Sequence, residues 1–299
     1  MSLIRSFLFT PGNQPRKVEK AFTVGADAVV LDLEDAVALA DKSRARKPVA
    51  EALAKPRGCL GYVRVNAMST PFCYADLAST IGTGVDGVVL PKVESAADLH
   101  AIDWLLANLE RERGIAEGTI DLLPMLETAA GLQRIDRVLQ ARSLRPYRGA
   151  WRVKRVGFGA ADYAHALHLS PSLDEAELAH ARARVVLASR GAGLEGPVDS
   201  PWFHLRETDA FRRALERSRR SGFAARFCIH PDQVEAVNAA YAPGEAELAR
   251  ARRIVDAFRA AEAGGQAVLE VDGEMVDYPI AHRAQALLDA AAKRRERKT

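Results

Sequence analysis

The chain has 299 residues, of which 48% are hydrophobic and 27% are charged, and its formal net charge is +3. This composition excludes a disordered or low-complexity protein, and no apolar run reaches the roughly 20 residues that a membrane span needs. Cys59, Cys73 and Cys228 are too scattered for a disulfide scaffold or a paired-cysteine metal site, so we expect a soluble cytoplasmic protein with no membrane partner.

The first residues, MSLIRSFLFTPGNQPRK, lack a small-residue cleavage site and predict no secretory signal. Short apolar runs then alternate with longer segments of helical period. The runs predict eight strands, at Ser6–Phe9, Ala28–Leu33, Gly61–Val65, Gly87–Leu90, Asp121–Leu126, Arg155–Gly159, Gly196–Val198 and Arg226–Ile229. The periodic segments predict helices at Gln14–Val24, Ser43–Ala54, Ala97–Arg113, Ala129–Ala141, Glu175–Arg190 and Asp209–Ser221. Eight β/α units in about 240 residues favour an α/β fold of the (β/α)₈ TIM-barrel type over an open doubly wound sheet.

The pattern changes after residue 242, so we predict a catalytic barrel over 1–242 and a C-terminal appendage over 243–299 that serves as a lid or in oligomerisation. The appendage reads as a helix over Glu245–Ala263, a hairpin over Val268–Val276 and a last helix from Pro279. Such a small unit is not stable alone, and we expect it to pack on the barrel or on a neighbouring subunit. The last seven residues, KRRERKT, carry five basic side chains and one acid. We expect a solvated helix end there and no nucleic-acid partner.

Polar side chains follow most of the predicted strands, at the end of a barrel where TIM-barrel chemistry takes place. These residues are Thr10, Pro11, Asp32, Glu34, Asp35, Arg64, Asn66, Lys92, Glu127, Asp162 and His230. Glu127 and Asp162 follow adjacent strands, and two carboxylates without a placed Cys or His favour Mg²⁺ over zinc. Each acid also precedes a helical stretch, where it could serve as an N-cap instead.

Arg64 lies between apolar neighbours in YVRVN, so its guanidinium could bind a carboxylate or enolate oxygen or form a structural ion pair in the barrel. Glu34 and Asp35 could attract the water shell of a metal or receive a nearby arginine. His230 could cap the next helix or line the pocket. His165 and His168 are three residues apart, so they could lie on one face of a helix. No third candidate ligand follows at a sequence spacing typical of metal sites.

Taken together, the motifs resemble the citrate lyase β-subunit-like (CitE-like) enzymes of the HpcH/HpaI aldolase superfamily. The motifs are RSFLFTPGNQPRKVEKA, GADAVVLDLEDAV, YVRVN, GVVLPKVES, LPMLETAAGL, VGFGAADYA, CIHPDQVEAVN and VDGEMVDYP. They occur in order along nearly the whole chain. The resemblance implies a Mg²⁺-dependent TIM barrel that acts on a carbon–carbon bond next to a thioester, as citryl-, malyl- and citramalyl-CoA lyases do.

The same resemblance implies roles for individual residues. Glu127 and Asp162 would be the metal ligands, and Arg64 would bind the oxo acid and steady the enolate. Asp277 of DGEMVD would act as general acid in the active site of a neighbouring subunit, which implies a homotrimer or a multiple of it. Citrate lyase α and carrier subunits are further possible partners.

A thioester carrier needs phosphate contacts. Candidates for binding CoA or a phosphopantetheine arm are the basic residues Arg16, Lys17, Lys20, Lys42, Arg44 and Arg46. Solvated helix faces are the alternative explanation for these charges.

Three functions remain open at this stage. The first is a lyase that cleaves a 3-hydroxyacyl thioester into an oxo acid (oxaloacetate, glyoxylate or pyruvate) and an acetyl thioester, or runs in reverse. The second is a CoA-independent aldolase of the same superfamily, and the third is a non-catalytic barrel subunit. The DGEMVD hairpin argues against the second, and the joint presence of Arg64, Glu127, Asp162 and Asp277 argues against the third.

Overall fold

The computed structural model describes residues 4–147 and 149–296, and within them eight parallel strands close into a barrel in sequence order. The strands are β1 (Ser6–Pro11), β2 (Ala28–Asp32), β3 (Leu60–Arg64), β4 (Gly87–Leu90), β5 (Asp121–Leu126), β6 (Gly157–Phe158), β7 (Val198–Asp199) and β8 (Ala225–Cys228). β1 pairs with β2 on one side and with β8 on the other, which closes the sheet. The predicted TIM-barrel fold is confirmed.

At least one helix follows each strand of the barrel. These helices are α1 (Pro15–Ala21), α2 (Lys42–Ala54), α3 (Cys73–Thr80), α4 (Ala96–Glu112), α5 (Ala129–Gln133), α6 (Ile135–Ala141), α7 (Ala160–Ala166), α8 (Ala179–Gly191), α9 (Thr208–Arg220) and α10 (Asp232–Ala240). Short 3₁₀ turns precede α2 and α8, over Leu39–Asp41 and Ala176–Leu178. No helix among the described residues combines the length and apolarity needed to cross a bilayer.

The strands are buried on both faces, which explains their nearly continuous apolar sequences. Alternate residues such as Phe7, Tyr62 and Phe227 fill the barrel, where the ring of Phe7 meets that of Tyr62 edge-on at 5.5 Å. The residues between them pack outward against the helices in a second, larger core. Gly87 leaves room for the interior rings, because a Cβ there would lie 2.2 Å from the ring of Tyr62.

Several element boundaries differ from the sequence prediction, and three of the differences concern β7, β6 and the helix predicted over 129–141. β7 begins at Val198 and not at Gly196, because Pro197 has no N–H to donate and the ladder starts with Val198 N bonding to Val156 O. β6 contains only Gly157–Phe158. The single helix predicted over 129–141 is interrupted at Arg134, whose φ of −103° and ψ of 10° lie outside the helical region.

The segment between α6 and β6 is anchored by a buried arginine. Arg152 is fully enclosed and donates to the carboxylates of Asp103 and Glu110 on α4, with Nη2 2.8 Å from Glu110 Oε2. Asp103 also accepts from Leu144 N at 2.7 Å, and Glu110 Oε1 accepts from Ile120 N at 2.8 Å. We call this group the wall cluster: Arg152, Asp103 and Glu110.

The chain divides into two compact units, and the described part of the second runs from Ala242 to Glu296. It contains α11 (Glu245–Ala263), a hairpin of β9 (Leu269–Val271) and β10 (Glu274–Val276), and α12 (Tyr278–Glu296). Ile254, Phe258 and Val276 belong to its own apolar core. The lid and assembly roles suggested by the sequence stay predictions. The basic tail over 293–299 lies outside the residues whose side chains are described.

Candidate active site

Parallel pairing brings the carboxyl ends of β2 and β3 side by side. Asp32, the last residue of β2, is in register with Arg64, the last residue of β3. Arg64 donates from Nε to Asp32 Oδ1 at 2.8 Å and from Nη2 to Asp32 Oδ2 at 2.5 Å, which is a bidentate pair. Asp32 accepts further bonds from the backbone N–H groups of Glu34 and Ala36. Asp32 therefore fixes the plane of the Arg64 guanidinium.

The third nitrogen of Arg64 faces the other acids of the rim. Nη1 lies 2.9 Å from Glu34 Oε2 and 3.9 Å from Asp35 Oδ2. Glu34 Oε2 is buried, yet it has no partner in hydrogen-bond geometry among the described residues. The guanidinium also lies over the ring of Phe9, 4.6 Å from its centroid. Burial alone would lower the pKa of Arg64, but the paired Asp32 holds it above its ordinary value.

Lys92 connects several of these acids. It follows β4 with a φ of 52°, in the left-handed region that residues other than glycine rarely adopt. Its backbone N–H donates to Glu127 Oε1 at 2.8 Å. Its ammonium lies 2.6 Å from Glu34 Oε1 and 3.9 Å from Asp162 Oδ1.

Glu127 follows β5 directly and is 1% exposed, whereas Asp162 lies in the first turn of α7 with about a third of its side chain exposed. Gly159 makes space for the first carboxylate, because a Cβ there would lie 2.1 Å from Glu127 Oε2. Burial, with the negative charge of Glu34, raises the pKa of Glu127 to about 8. A buried carboxylate surrounded by acids is a position that a cation would stabilise.

The donor set fits Mg²⁺. The described residues contain no group of three or more His, Cys, Asp or Glu side chains arranged around one metal position, so this protein would offer the Glu127 and Asp162 carboxylates alone. Mg²⁺ commonly binds through one or two carboxylates and keeps several waters that substrate oxygens can replace, whereas a structural zinc site needs four protein ligands.

Several other predicted site residues have structural partners. Asn66 is buried and donates its amide to Leu33 O and Asp76 Oδ2. Thr10 and Pro11 lie in β1, in register with Leu31 and with Asp32 at the rim. Asp35 is exposed, and its Oδ1 lies 3.8 Å from the Lys92 ammonium.

The histidines singled out in the sequence lie near the surface. His230 Nδ1 accepts from Asp232 N, the first residue of α10, at 3.3 Å, but the N-cap position of this helix is occupied by Pro231, and the His230 side chain is 45% exposed. His165 and His168 are both exposed on and after α7.

The basic residues proposed to bind the phosphates of the thioester carrier differ in exposure and in their hydrogen-bond partners. Arg16 and Lys20 are exposed on α1, which begins at the rim directly after β1. Arg46 instead turns inward and donates to the buried Asp76 at 2.7 Å. Lys42 donates to the carbonyls of Leu33 and Glu34.

Asp277 lies in the second compact unit, directly before α12. Its Oδ1 accepts from Ile280 N at 3.2 Å, which is an N-cap bond. This bond engages one carboxylate oxygen.

Two functional features were missed in the sequence. Asp32 was recognised as a strand-end acid but not as the residue that orients Arg64, although both residues end neighbouring strands. Lys92 was placed at the rim without a role, and its left-handed backbone gave no signal in the sequence.

Comparison with known proteins adds three relationships. Residues 5–231 match the family model described as HpcH/HpaI aldolase/citrate lyase. The citrate lyase subunit beta of Leuconostoc mesenteroides subsp. cremoris is 34% identical over 295 residues, which cover 97% of this chain and 93% of that protein. The L-malyl-CoA/beta-methylmalyl-CoA lyase of Cereibacter sphaeroides is 31% identical over 309 residues, covering 96% of this chain and 94% of that one.

A solved structure agrees with both the fold and these sequences. The Mycobacterium tuberculosis protein CitE, in complex with magnesium, acetoacetate and coenzyme A, superposes with a TM-score of 0.77 and 29% identity. The match covers 96% of this chain and 98% of that chain.

Proposed function

Because this chain belongs to the HpcH/HpaI aldolase/citrate lyase family, we propose that it is a Mg²⁺-dependent carbon–carbon lyase acting on a 3-hydroxyacyl thioester. The products would be an oxo acid, such as oxaloacetate, glyoxylate or pyruvate, and an acetyl thioester. The observation that carries the proposal is the placement of Glu127 and Asp162 on one rim beside Arg64.

Glu127 and Asp162 would hold the Mg²⁺ ion. The bound ion would supply Lewis-acid stabilisation of negative charge on substrate oxygen. Gly159 keeps the space into which the Glu127 carboxylate extends, and Lys92 N–H fixes one of its oxygens. The chain thus orients one of the two carboxylates before any ligand binds.

Arg64 would bind the oxo acid or the enolate through Nη1. Two of its nitrogens are occupied by Asp32, and Nη1 lies 2.9 Å from Glu34 Oε2, so a bound oxo acid would take the place of Glu34 at this donor. A guanidinium fixed in this way stabilises developing charge without rearranging during the reaction.

Asp277 would protonate the thioester enolate at carbon, as the resemblance implies, from the second unit of a neighbouring subunit. A homotrimer, or a multiple of it, is therefore part of the proposal. Arg16 and Lys20 would contact the phosphates of CoA or of a phosphopantetheine arm. Association with citrate lyase α and carrier subunits and the cytoplasmic location belong to the same proposal.

An assay of citryl-, malyl- and citramalyl-CoA cleavage, with Mg²⁺ and with chelator, tests the proposal. We expect Mg²⁺-dependent cleavage of one of these thioesters, and a loss of at least about 10³-fold in Glu127→Gln and Asp162→Asn. Glu216→Gln removes an acid on α9 whose side chain is 70% exposed and serves as the matched control.

The outcomes separate the three functions. Full activity in chelator would contradict the metal assignment. Cleavage of a free hydroxy oxo acid without CoA would support the aldolase instead, and no activity on any substrate would support the non-catalytic subunit.

A further inference from the structure

The rim holds more negative than positive charge. Asp32, Glu34, Asp35, Glu127 and Asp162 are its carboxylates, and Arg64 and Lys92 are the cations that contact them. Arg64 is committed to Asp32 by two hydrogen bonds. Lys92 is held differently, because its ammonium makes one hydrogen bond, to Glu34, and reaches Asp35 and Asp162 at 3.8 and 3.9 Å. The ammonium of Lys92 therefore lies between three carboxylates and is not fixed by a bidentate pair as Arg64 is.

The two ends of Lys92 act on the two proposed metal ligands separately. The backbone N–H fixes Glu127, and the ammonium faces Asp162. Every residue except proline would keep that N–H, and the strain of the left-handed backbone is similar for any unbranched side chain. A change in the Lys92 side chain therefore isolates the effect of the ammonium.

We propose that Lys92 is a positioning residue that sets the balance between the two binding steps of this site: its ammonium weakens binding of the divalent cation and strengthens binding of an anionic oxo acid beside it. This inference rests on the proposed function, since it assumes the cation at Glu127 and Asp162. The reason is Coulombic. A positive charge about 4 Å from a carboxylate ligand repels a dication on that ligand and attracts any carboxylate that joins it.

The metal and the oxo acid also affect each other, because they carry opposite charges. Because the Lys92 ammonium adds a positive charge beside Asp162, the free rim would bind Mg²⁺ less tightly than it would without this side chain. An arriving oxo acid brings negative charge to the same place, so metal and oxo acid bind better together than apart. Linkage requires that each strengthens the binding of the other by the same factor.

Binding of Mn²⁺ to the full-length protein, followed by the electron paramagnetic resonance signal of the free ion, tests this inference without using turnover. We expect Lys92→Met to bind Mn²⁺ about ten-fold more tightly than the wild type, and Lys92→Arg to stay within about two-fold. With saturating Mn²⁺, oxalate serves as a stable probe for the oxo acid. Its affinity should fall about ten-fold in Lys92→Met.

Lys55→Met is the matched control, because Lys55 is exposed at the carboxyl end of α2, at the opposite end of the barrel from the rim. Both of its affinities should equal those of the wild type. Circular dichroism and thermal melting establish that each variant is folded.

The inference is overturned if folded Lys92→Met binds Mn²⁺ no more tightly than the wild type, or if tighter Mn²⁺ binding leaves the affinity for oxalate unchanged. A different result addresses the proposed function. If the wild type binds no Mn²⁺, or if Glu127→Gln binds it as the wild type does, the metal site itself is wrong and the role of Lys92 falls with it.

Discussion

Arg64 at the rim and Arg152 in the wall cluster each form a close ion pair with one aspartate and one glutamate, and Arg64 also lies 3.9 Å from Asp35 Oδ2, but only the wall cluster is complete. Arg152 is fully enclosed, and the carboxylates of Asp103 and Glu110 also accept backbone N–H groups. At the rim, Glu34 Oε2 lies 2.9 Å from Arg64 Nη1 without hydrogen-bond geometry to any described residue, and Asp162 reaches solvent. The carboxylates of the wall cluster have their hydrogen bonds within the fold, whereas those of the rim keep hydrogen-bonding capacity that a ligand can use.

Removing the wall arginine should produce the largest effect on stability. In Arg152→Met, Asp103 and Glu110 stay buried without their cation, and we expect the free energy of unfolding to fall by about 3–5 kcal/mol. Denaturant unfolding measures this change. Below the unfolding transition, kcat/KM should stay within about two-fold of the wild type. A large loss of activity in the folded variant would show that the wall cluster also serves the site.

Removing the rim arginine should reduce activity strongly and stability less. Arg64→Met deletes the donor aimed at the substrate, and we expect kcat/KM to fall by about 10²–10³-fold. The unfolding free energy should change less than in Arg152→Met, because Lys92 stays beside Glu34 and the backbone N–H groups of Glu34 and Ala36 stay bonded to Asp32. Steady-state kinetics and denaturant unfolding on one preparation check both parts. Equal stability losses in the two variants would remove the distinction between the clusters.

A smaller effect should appear in the pH dependence of stability without metal. Glu127 has a pKa of about 8 in the folded chain, because of burial and the charge of Glu34, against about 4.3 for an unfolded glutamate. The stabilisation from its extra proton is fully present below the unfolded value and is lost as the pH rises through about 8.

Thermal melting in chelator between these pH values measures the effect. The melting temperature of the wild type should fall more steeply with rising pH than that of Glu127→Gln, whose amide does not titrate. Parallel curves for the two proteins would show that Glu127 is ionised in the metal-free fold.

The sequence was sufficient to predict those features that depend on one strand and the residues directly after it. The apolar runs of β2, β4 and β5 are recognisable locally, and the position directly after β5 places Glu127 at the rim. Arg64 is recognisable because a charged residue interrupts an apolar alternation. These assignments need only strand period and the rule that the carboxyl ends of parallel strands meet.

The remainder depends on contacts between distant segments. The sequence made Arg46 a candidate for carrier phosphates, with a solvated helix face as the alternative, yet it pairs with Asp76, which lies 30 residues away in sequence. Arg152 belonged to a stretch without a recognised role until α4 supplied its two acids. Residues far apart in sequence come into contact only in the closed barrel, and a single sequence does not indicate which of them will do so.

The most direct test of the account is the position of a bound cation. Crystals soaked in Mn²⁺ and measured near the manganese absorption edge should show one strong anomalous peak between the carboxylates of Glu127 and Asp162, and none in crystals of Glu127→Gln. A peak elsewhere in the chain, or an equal peak in the variant, would contradict the claim that these two acids hold the metal beside Arg64.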